Sequence, residues 1–113
     1  MNIDDLIYFD EDTAYVDGVP FTGIAYEENA LGNRIAESEF RNGIEEGWSA
    51  EWYPDGIAKR SEGEIRYGFA WGTYRVWYSN GLLAEETEYD DRGEPRVIRK
   101  WDNEGMLTSE IVR

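Results

Sequence analysis

The sequence predicts an all-β protein: an antiparallel meander of repeated β-hairpins, about 25 residues per unit, that forms a single elongated twisted sheet. Three observations predict this fold. Glycines recur at a fixed period, and the dipeptides that favour tight turns recur with them. In addition, no segment keeps the 3.6-residue apolar period of an amphipathic helix.

The period is visible in three separate sets of glycines, whose members stand 24 or 25 residues apart. Aromatic residues keep the same step, as at Trp52, Trp77 and Trp101. Agreement between separate sets indicates a structural repeat, in which each unit packs against its neighbours. The sets are Gly18, Gly43, Gly68 and Gly93; Gly32, Gly56, Gly81 and Gly105; and Gly23, Gly47 and Gly72.

The two clearest units begin at Gly47 and Gly72, where GWSAEWYPDG aligns with GTYRVWYSNG. Each segment has the composition of a strand and ends in Asp-Gly or Asn-Gly, which accept positive φ in a two-residue hairpin connection. We therefore expect return strands over residues 57–65 and 82–89. A further glycine-bearing turn follows each of them, at 66–68 and 90–93.

The ends of the chain depart from the repeat, as terminal caps commonly do. Residues 1–17 are expected to form a cap hairpin, with strands over 6–9 and 13–16 around an acidic turn at 10–12. Residues 26–32 are predicted to form a longer loop than the corresponding residues of the other units. The opening strand of the last unit is predicted to be irregular. Within a single domain of residues 1–113, the units are approximately 18–42, 43–67, 68–92 and 93–113.

Composition narrows the possible functions. The chain has 113 residues without cysteine or histidine, so thiol and imidazole chemistry is excluded. Its formal charge of −14 disfavours direct contact with nucleic acid or with anionic membranes. No stretch approaches the roughly 18 apolar residues of a membrane span, and no secretory signal is recognisable at the start. The expectation is a cytoplasmic, non-enzymatic protein without a cofactor.

Pairs of glutamates recur on the predicted return strands. The two members of each pair stand two residues apart, which places both carboxylates on one face of a strand. The residues between and after them are a small one and a large apolar one, so we expect the glutamates to point outward. Consecutive pairs would stand roughly 10 Å apart and form an acidic ladder whose negative field adds up in one direction, with interruptions at Lys59 and Arg75. The pairs are Glu37 and Glu39, Glu62 and Glu64, and Glu86 and Glu88.

This ladder has two main interpretations. Outward glutamates can simply prevent edge-to-edge aggregation of the sheet. They can also form a partner-binding surface for a basic protein, whose association they would accelerate. Calcium binding and glycosidase chemistry are weaker alternatives, because a dedicated pair would not be expected to recur with the repeat.

Aromatic residues beside the turns are the second set of candidate partner-binding residues: Trp52, Tyr53, Trp77 and Tyr78. Most such side chains hold successive hairpins together by packing on their neighbours. One or two exposed tryptophans could instead anchor a protein partner or stack on sugar rings.

The order of Gly18-Val19-Pro20-Phe21-Thr22-Gly23, then Glu39-Phe40-Arg41-Asn42-Gly43, then the segments 47–56 and 72–81, resembles the bacterial variant of the membrane occupation and recognition nexus (MORN) repeat. The resemblance covers about residues 15–107. Many bacterial members of that family look like antitoxins or immunity proteins encoded beside a toxin, frequently a nuclease or nucleobase deaminase. The family has no shared catalytic residues to carry over.

The resemblance, the charge and the ladder together favour an immunity protein or antitoxin. It would bind a cognate toxin with a basic surface and occlude the active site or substrate groove of that toxin. The alternative is a non-catalytic scaffold or carbohydrate-binding module that uses exposed tryptophan and tyrosine.

Overall fold

The computed structural model of the chain describes residues 1–8 and 13–113. These residues form a short 3₁₀ turn, Ile3–Asp5, and 11 strands in two sheets. The first three strands are β1 (Ile7–Tyr8), β2 (Ala14–Val16) and β3 (Val19–Pro20). The others are β4 (Gly23–Glu28), β5 (Arg34–Arg41), β6 (Ile44–Trp52), β7 (Lys59–Arg66), β8 (Phe69–Trp77), β9 (Leu83–Tyr89), β10 (Pro95–Trp101) and β11 (Leu107–Val112).

Strands β4 to β11 form the main sheet, in which each strand pairs with the strands before and after it in the sequence. All of these pairings are antiparallel. β4 and β11 lie at opposite edges and do not pair with each other, so the sheet is open. The body measures 48 × 37 × 17 Å, which is wide and thin. The predicted all-β meander of hairpins is therefore confirmed.

The expectation of a single sheet needs one correction, because β1, β2 and β3 form a second, small sheet. β1 pairs with β2 as the cap hairpin predicts, and β2 pairs with β3 across Asp17-Gly18. The acidic turn predicted at residues 10–12 lies outside the described residues. The small sheet is separate because it lies over the main sheet and covers apolar residues. Backbone bonds Ala14 N to Gly43 O and Gly43 N to Phe21 O, both 2.7 Å, fix it there.

Two kinds of turn close the hairpins whose turns the structure describes. Three hairpins close through two residues with positive φ, between +50° and +83°: Asp17-Gly18, Asn42-Gly43 and Tyr67-Gly68. This is the type I′ geometry, which matches the twist of the flanking strands. The unit boundaries predicted at 17/18, 42/43 and 67/68 fall inside these turns.

The two-residue connections predicted at Asp55-Gly56 and Asn80-Gly81 are wrong. Only the glycines there have positive φ, and each glycine N–H bonds to the carbonyl three residues earlier, in a type I turn with a left-handed glycine. Asp55 and Asn80 accept backbone N–H groups two residues ahead, at 2.8 and 2.9 Å, which holds them in the ordinary right-handed conformation. The N–H groups of Ile57 and Ala58, which both donate to Asp55, hold the pKa of that carboxyl below its usual value.

The ends of the repeat differ from expectation in one respect. The loop over 26–32 is not longer than its counterparts, because β4 continues to Glu28 and the turn closes by Asn29 N to Asn33 O at 2.9 Å. The same bond pattern joins Tyr78 to Leu82. In the last unit, β10 is irregular at two register shifts, one against β9 between Pro95 and Val97 and one against β11 between Lys100 and Trp101.

The core is small and lies between the two sheets. Its buried residues are Leu6, Ala14, Ala25 and Phe40, and Phe21 packs against them. The Phe21 and Phe40 rings stand 5.8 Å apart, in tilted contact. No tryptophan belongs to this core as the described residues define it. Outside this core, the main sheet buries only small side chains among the described residues, such as Ala50, Ser61 and Thr87.

Candidate partner-binding surface

The three glutamate pairs lie on one face of the main sheet, as predicted. Glu37 is on β5, Glu62 on β7 and Glu86 on β9, and single strands separate these three. We name this side the glutamate face. We name the opposite side the core face. It carries the small and large apolar residues that alternate with these glutamates, as predicted, and Phe40, Gly63 and Thr87 among them are buried.

From β7 to β11, arginines occupy the positions between the glutamates, whereas Ala50 stands between Glu37 and Glu62. Arg75 stands opposite Glu62 and Glu86, and Arg99 stands opposite Glu86 and Glu110. Five of the six predicted glutamates have a cationic partner at 2.5 to 3.2 Å: Glu37 with Arg34, Glu62 with Lys59, Glu64 with Arg66, Glu86 with Arg75 and Arg99, and Glu88 with Arg99. The predicted interruption by Lys59 and Arg75 is correct, but the expectation of a ladder whose negative field adds up is wrong.

Glu39, the sixth glutamate, has a backbone partner. Its Oε2 accepts the N–H of Trp48 at 3.1 Å, next to Gly47. The register between β5 and β6 shifts here, so that Glu39 faces the segment 46–48, and Gly47, at φ +114°, belongs to the resulting bulge. The carboxylate satisfies an N–H group that the bulge leaves without a strand partner. The role of Glu39 within the sheet is therefore structural.

The pairs on the glutamate face are exposed or half-exposed, and each contributes little to stability, about 0–1 kcal/mol. Arg99 is the best connected, with bonds to Glu86, Glu88 and Glu110, and the hydrogen bond to Glu110 raises its pKa. The main consequence is electrostatic. Seven glutamates, counting Glu110, stand beside five cations, so this group carries a net charge of only −2.

The negative charge of the chain is concentrated elsewhere. Residues 1–46 contain 12 of the 25 acidic residues and only two of the 11 basic ones, Arg34 and Arg41, so their formal charge is −10. Residues 47–113 hold the other 13 acids and nine bases, for a charge of −4. Glu27 and Glu28, on the edge strand β4, are exposed and have no ion pair among the described residues. Without residues 10–12, which lie outside the described residues, residues 1–46 hold nine acids and two bases, for a charge of −7, so the N-terminal part of the described structure is the more acidic part.

Tyr53 and Tyr78 join successive units. The Tyr53 hydroxyl donates to the carbonyl of Trp77 at 2.6 Å, and the Tyr78 hydroxyl donates to the carbonyl of Trp101 at 2.7 Å. Both side chains are half-buried. Each bond spans one period of the repeat, which accounts for the recurrence of tyrosine at this position. Their contact with a partner stays a prediction.

We expect Tyr53→Phe and Tyr78→Phe each to lower the free energy of unfolding by about 1 kcal/mol, because a half-buried carbonyl loses its donor. Tyr26→Phe is the matched control. Its hydroxyl has no hydrogen bond within the described residues, so the change should stay within about 0.5 kcal/mol. Urea denaturation measures all three. Equal effects at the three positions would contradict the assigned role.

The tryptophans lie on the glutamate face rather than in the core. Trp48 is 43% exposed, and Trp52, Trp77 and Trp101 are half-buried. The Lys59 ammonium lies 6.0 Å from the Trp48 ring and 5.9 Å from the Trp52 ring. Partner binding by Trp52 and Trp77 stays a prediction.

Sequence reasoning missed a second aromatic group, formed by Tyr67, Phe69 and Trp71 at one end of the sheet. Tyr67 is 72% exposed and Phe69 is 70% exposed. Two signals could have identified the group. The three residues alternate along the chain, and the equivalent positions of the preceding unit, Asn42, Ile44 and Glu46, are not aromatic.

Comparison of the chain with models of known protein families gives no match, and comparison with curated proteins gives none either. Within residues 1–8 and 13–113, no helix has the length and apolar character needed to cross a membrane. The same residues contain no group of three or more acidic side chains arranged to hold a metal ion.

Proposed function

We propose that this chain is an immunity protein or antitoxin, which binds a cognate toxin and occludes its active site or substrate groove without chemistry of its own. The uneven charge is the observation that carries the proposal. The formal charge of −10 on residues 1–46, which include the small sheet and the first strands of the open main sheet, suits a basic groove that normally receives nucleic acid. The sequence resemblance to the MORN variant supports a nuclease or nucleobase deaminase as the toxin.

The ion pairs of the glutamate face change where the basic partner should bind. Glu62, Glu64, Glu86 and Glu88 already have cationic partners, so a toxin that bound them would have to displace Lys59, Arg66, Arg75 or Arg99. Glu27 and Glu28 have no such competitor among the residues that the structure describes. The proposed binding surface is therefore centred on the N-terminal end of the sheet.

The first test is co-expression of the chain with the product of the neighbouring gene. We expect protection of the cells and a stoichiometric complex in size-exclusion chromatography. A toxic neighbour that the chain neither neutralises nor binds would refute the proposal.

The second test identifies which acidic residues accelerate association with the toxin. We expect Glu27→Gln/Glu28→Gln to slow association about 3- to 10-fold at low salt, because steering depends on the local field. Glu85→Gln/Glu104→Gln removes the same charge from the C-terminal part and should slow association less than about twofold. Stopped-flow measurements over a range of salt concentrations compare the two. Equal slowing by both variants would remove the N-terminal end from the mechanism.

A carbohydrate-binding module is the second candidate, favoured by one tryptophan per hairpin at Trp52, Trp77 and Trp101 on a single face. Glycan binding that quenches tryptophan fluorescence and does not change with salt would support it. Such binding, in the absence of a toxin complex, would replace the first proposal.

A further inference from the structure

A cavity of about 430 Å³ lies where the turn at Tyr67-Gly68 meets the turn at residues 90–93. Gly93 adjoins this site, since a Cβ added to it would stand 3.7 Å from the Cβ of Phe69. Three aromatic residues, two arginines and an aspartate line it: Tyr67, Phe69, Trp71, Arg66, Arg92 and Asp91. Tryptophan, tyrosine and arginine are the residues that contribute most to binding in protein interfaces.

The repeat itself is a control for the role of these aromatics. At the positions of Tyr67, Phe69 and Trp71, the preceding unit has Asn42, Ile44 and Glu46. Both units nevertheless close with the same turn and pair with their neighbours in the same way. The hairpin does not need three aromatics at this end, so its packing does not explain them.

Tyr67 has an unfavourable backbone conformation as well as an exposed side chain. Its φ is +51°, in the left-handed region that asparagine and glycine adopt readily and that costs other residues roughly 1–2 kcal/mol. Asp17 and Asn42 hold this position in the other type I′ turns. Because the ring is 72% exposed, burial does not offset the cost. Strain that folding does not explain is typical of a functional site.

The polar groups of the cavity indicate the charge of its occupant. Arg66 stacks on Trp71 at 4.4 Å and pairs with Glu64 at 3.2 Å. Arg92 is exposed and has no ion pair within residues 1–8 and 13–113. In the same turn, Asp90 is already bonded to Arg96 at 2.6 Å. Asp91 is the one acid among the described lining residues, which therefore carry two positive charges and one negative charge. The cavity therefore offers an aromatic wall with an available guanidinium at its rim, which suits a carboxylate next to an apolar group.

We propose that this cavity is a docking site for a peptide segment of the partner protein that presents a large apolar side chain beside a carboxylate. The apolar side chain packs on Tyr67, Phe69 and Trp71, and the carboxylate bonds to Arg92. The proposal deepens the proposed function and rests on it for the identity of the partner. Binding would then use two regions, the acidic N-terminal end for rapid association and this cavity for specificity.

The key variant is Tyr67→Asn, which restores the residue of the preceding unit. We expect the melting temperature to rise by about 3–6 °C, because asparagine adopts this conformation at lower cost. The reverse change, Asn42→Tyr, should lower it by a similar amount. If the melting temperature does not rise in Tyr67→Asn, the backbone at this position is not strained, and backbone strain no longer supports the docking site.

Binding is tested with a phage-displayed library of random linear peptides, panned on the immobilised full chain. We expect enrichment of peptides that pair a large apolar residue with Asp or Glu. Their affinity should fall at least 10-fold with Tyr67→Asn and with Phe69→Thr. Val19→Thr changes an exposed apolar residue at the equivalent position of the first unit, and it should alter affinity less than twofold. Peptides that bind all variants equally, or no enrichment, would overturn the proposal.

The docking site and the proposed function fail in different ways. A toxin complex that keeps its dissociation rate in Tyr67→Asn and Phe69→Thr would leave the proposed function standing and refute the docking site. Peptides that require both aromatics, in a chain that does not bind its neighbour's product, would support the site and refute the function.

Discussion

Gly43→Ala is expected to destabilise the protein by about 3 kcal/mol, although it adds only one methyl group. Gly43 has φ +83° and is buried under the small sheet. An added Cβ would stand 2.7 Å from the carbonyl oxygen of Ala14 and 2.5 Å from Cγ2 of Thr13. Since a backbone atom cannot move away alone, the small sheet must shift. The two 2.7 Å bonds that fix it, Ala14 N to Gly43 O and Gly43 N to Phe21 O, would be lost or weakened.

Gly68→Ala is the control for this prediction. Gly68 occupies the same position of the next type I′ turn, with φ +80°, and an added Cβ would meet nothing within 4 Å. Gly68→Ala should lower the free energy of unfolding only by the cost of placing alanine in the left-handed conformation, about 1 kcal/mol. Urea denaturation of both variants measures the difference. Similar values for the two would mean that the small sheet contributes little at Gly43.

Phe40→Ala should cost about 3–4 kcal/mol, the usual range for removal of a buried phenylalanine. Phe40 is 6% exposed and contacts the Phe21 ring across the small core. Because few other large side chains are buried among the described residues, few neighbouring atoms can move into the cavity that the substitution leaves. A loss of this size is a large fraction of the roughly 5–15 kcal/mol by which domains are stable.

Phe69→Ala provides the matched comparison, since Phe69 is on the same sheet but 70% exposed. We expect its effect on unfolding to stay within about 0.5 kcal/mol. Thermal and urea unfolding of the two variants should therefore differ clearly. A large loss of stability from Phe69→Ala would assign that ring to packing and contradict the role proposed for the cavity.

Much of the fold could be predicted from the sequence because the same turn and strand signals recur in each unit of the repeat. The glycine period and the alternation of residues around Glu62 are local features, and they determine the order of the strands and the face that each glutamate occupies. The small sheet was harder, because its position depends on contacts between distant residues, such as Ala14 with Gly43.

The candidate site was less predictable, for a specific physical reason. The partner of each glutamate depends on register, and register depends on bulges at the glycines. A shift between Glu62 and Glu64 sets which residues of β8 stand opposite them, including Arg75. Alternation alone placed Glu62 on the correct face but could not identify its neighbours. Similarly, the hydrogen bond of Tyr53 goes to a main-chain carbonyl, which no sequence pattern marks.

The tyrosine hydrogen bonds between units also affect how the sheet responds when one hairpin unfolds. Because Tyr53 reaches the hairpin that contains Trp77, and Tyr78 reaches the one that contains Trp101, each of these bonds attaches a unit to its immediate successor. Such a molecule behaves as a one-dimensional array, in which cooperativity passes from neighbour to neighbour. Loss of a terminal hairpin would break one junction, whereas loss of an internal hairpin would break two. The middle of the sheet is therefore the part least able to open on its own.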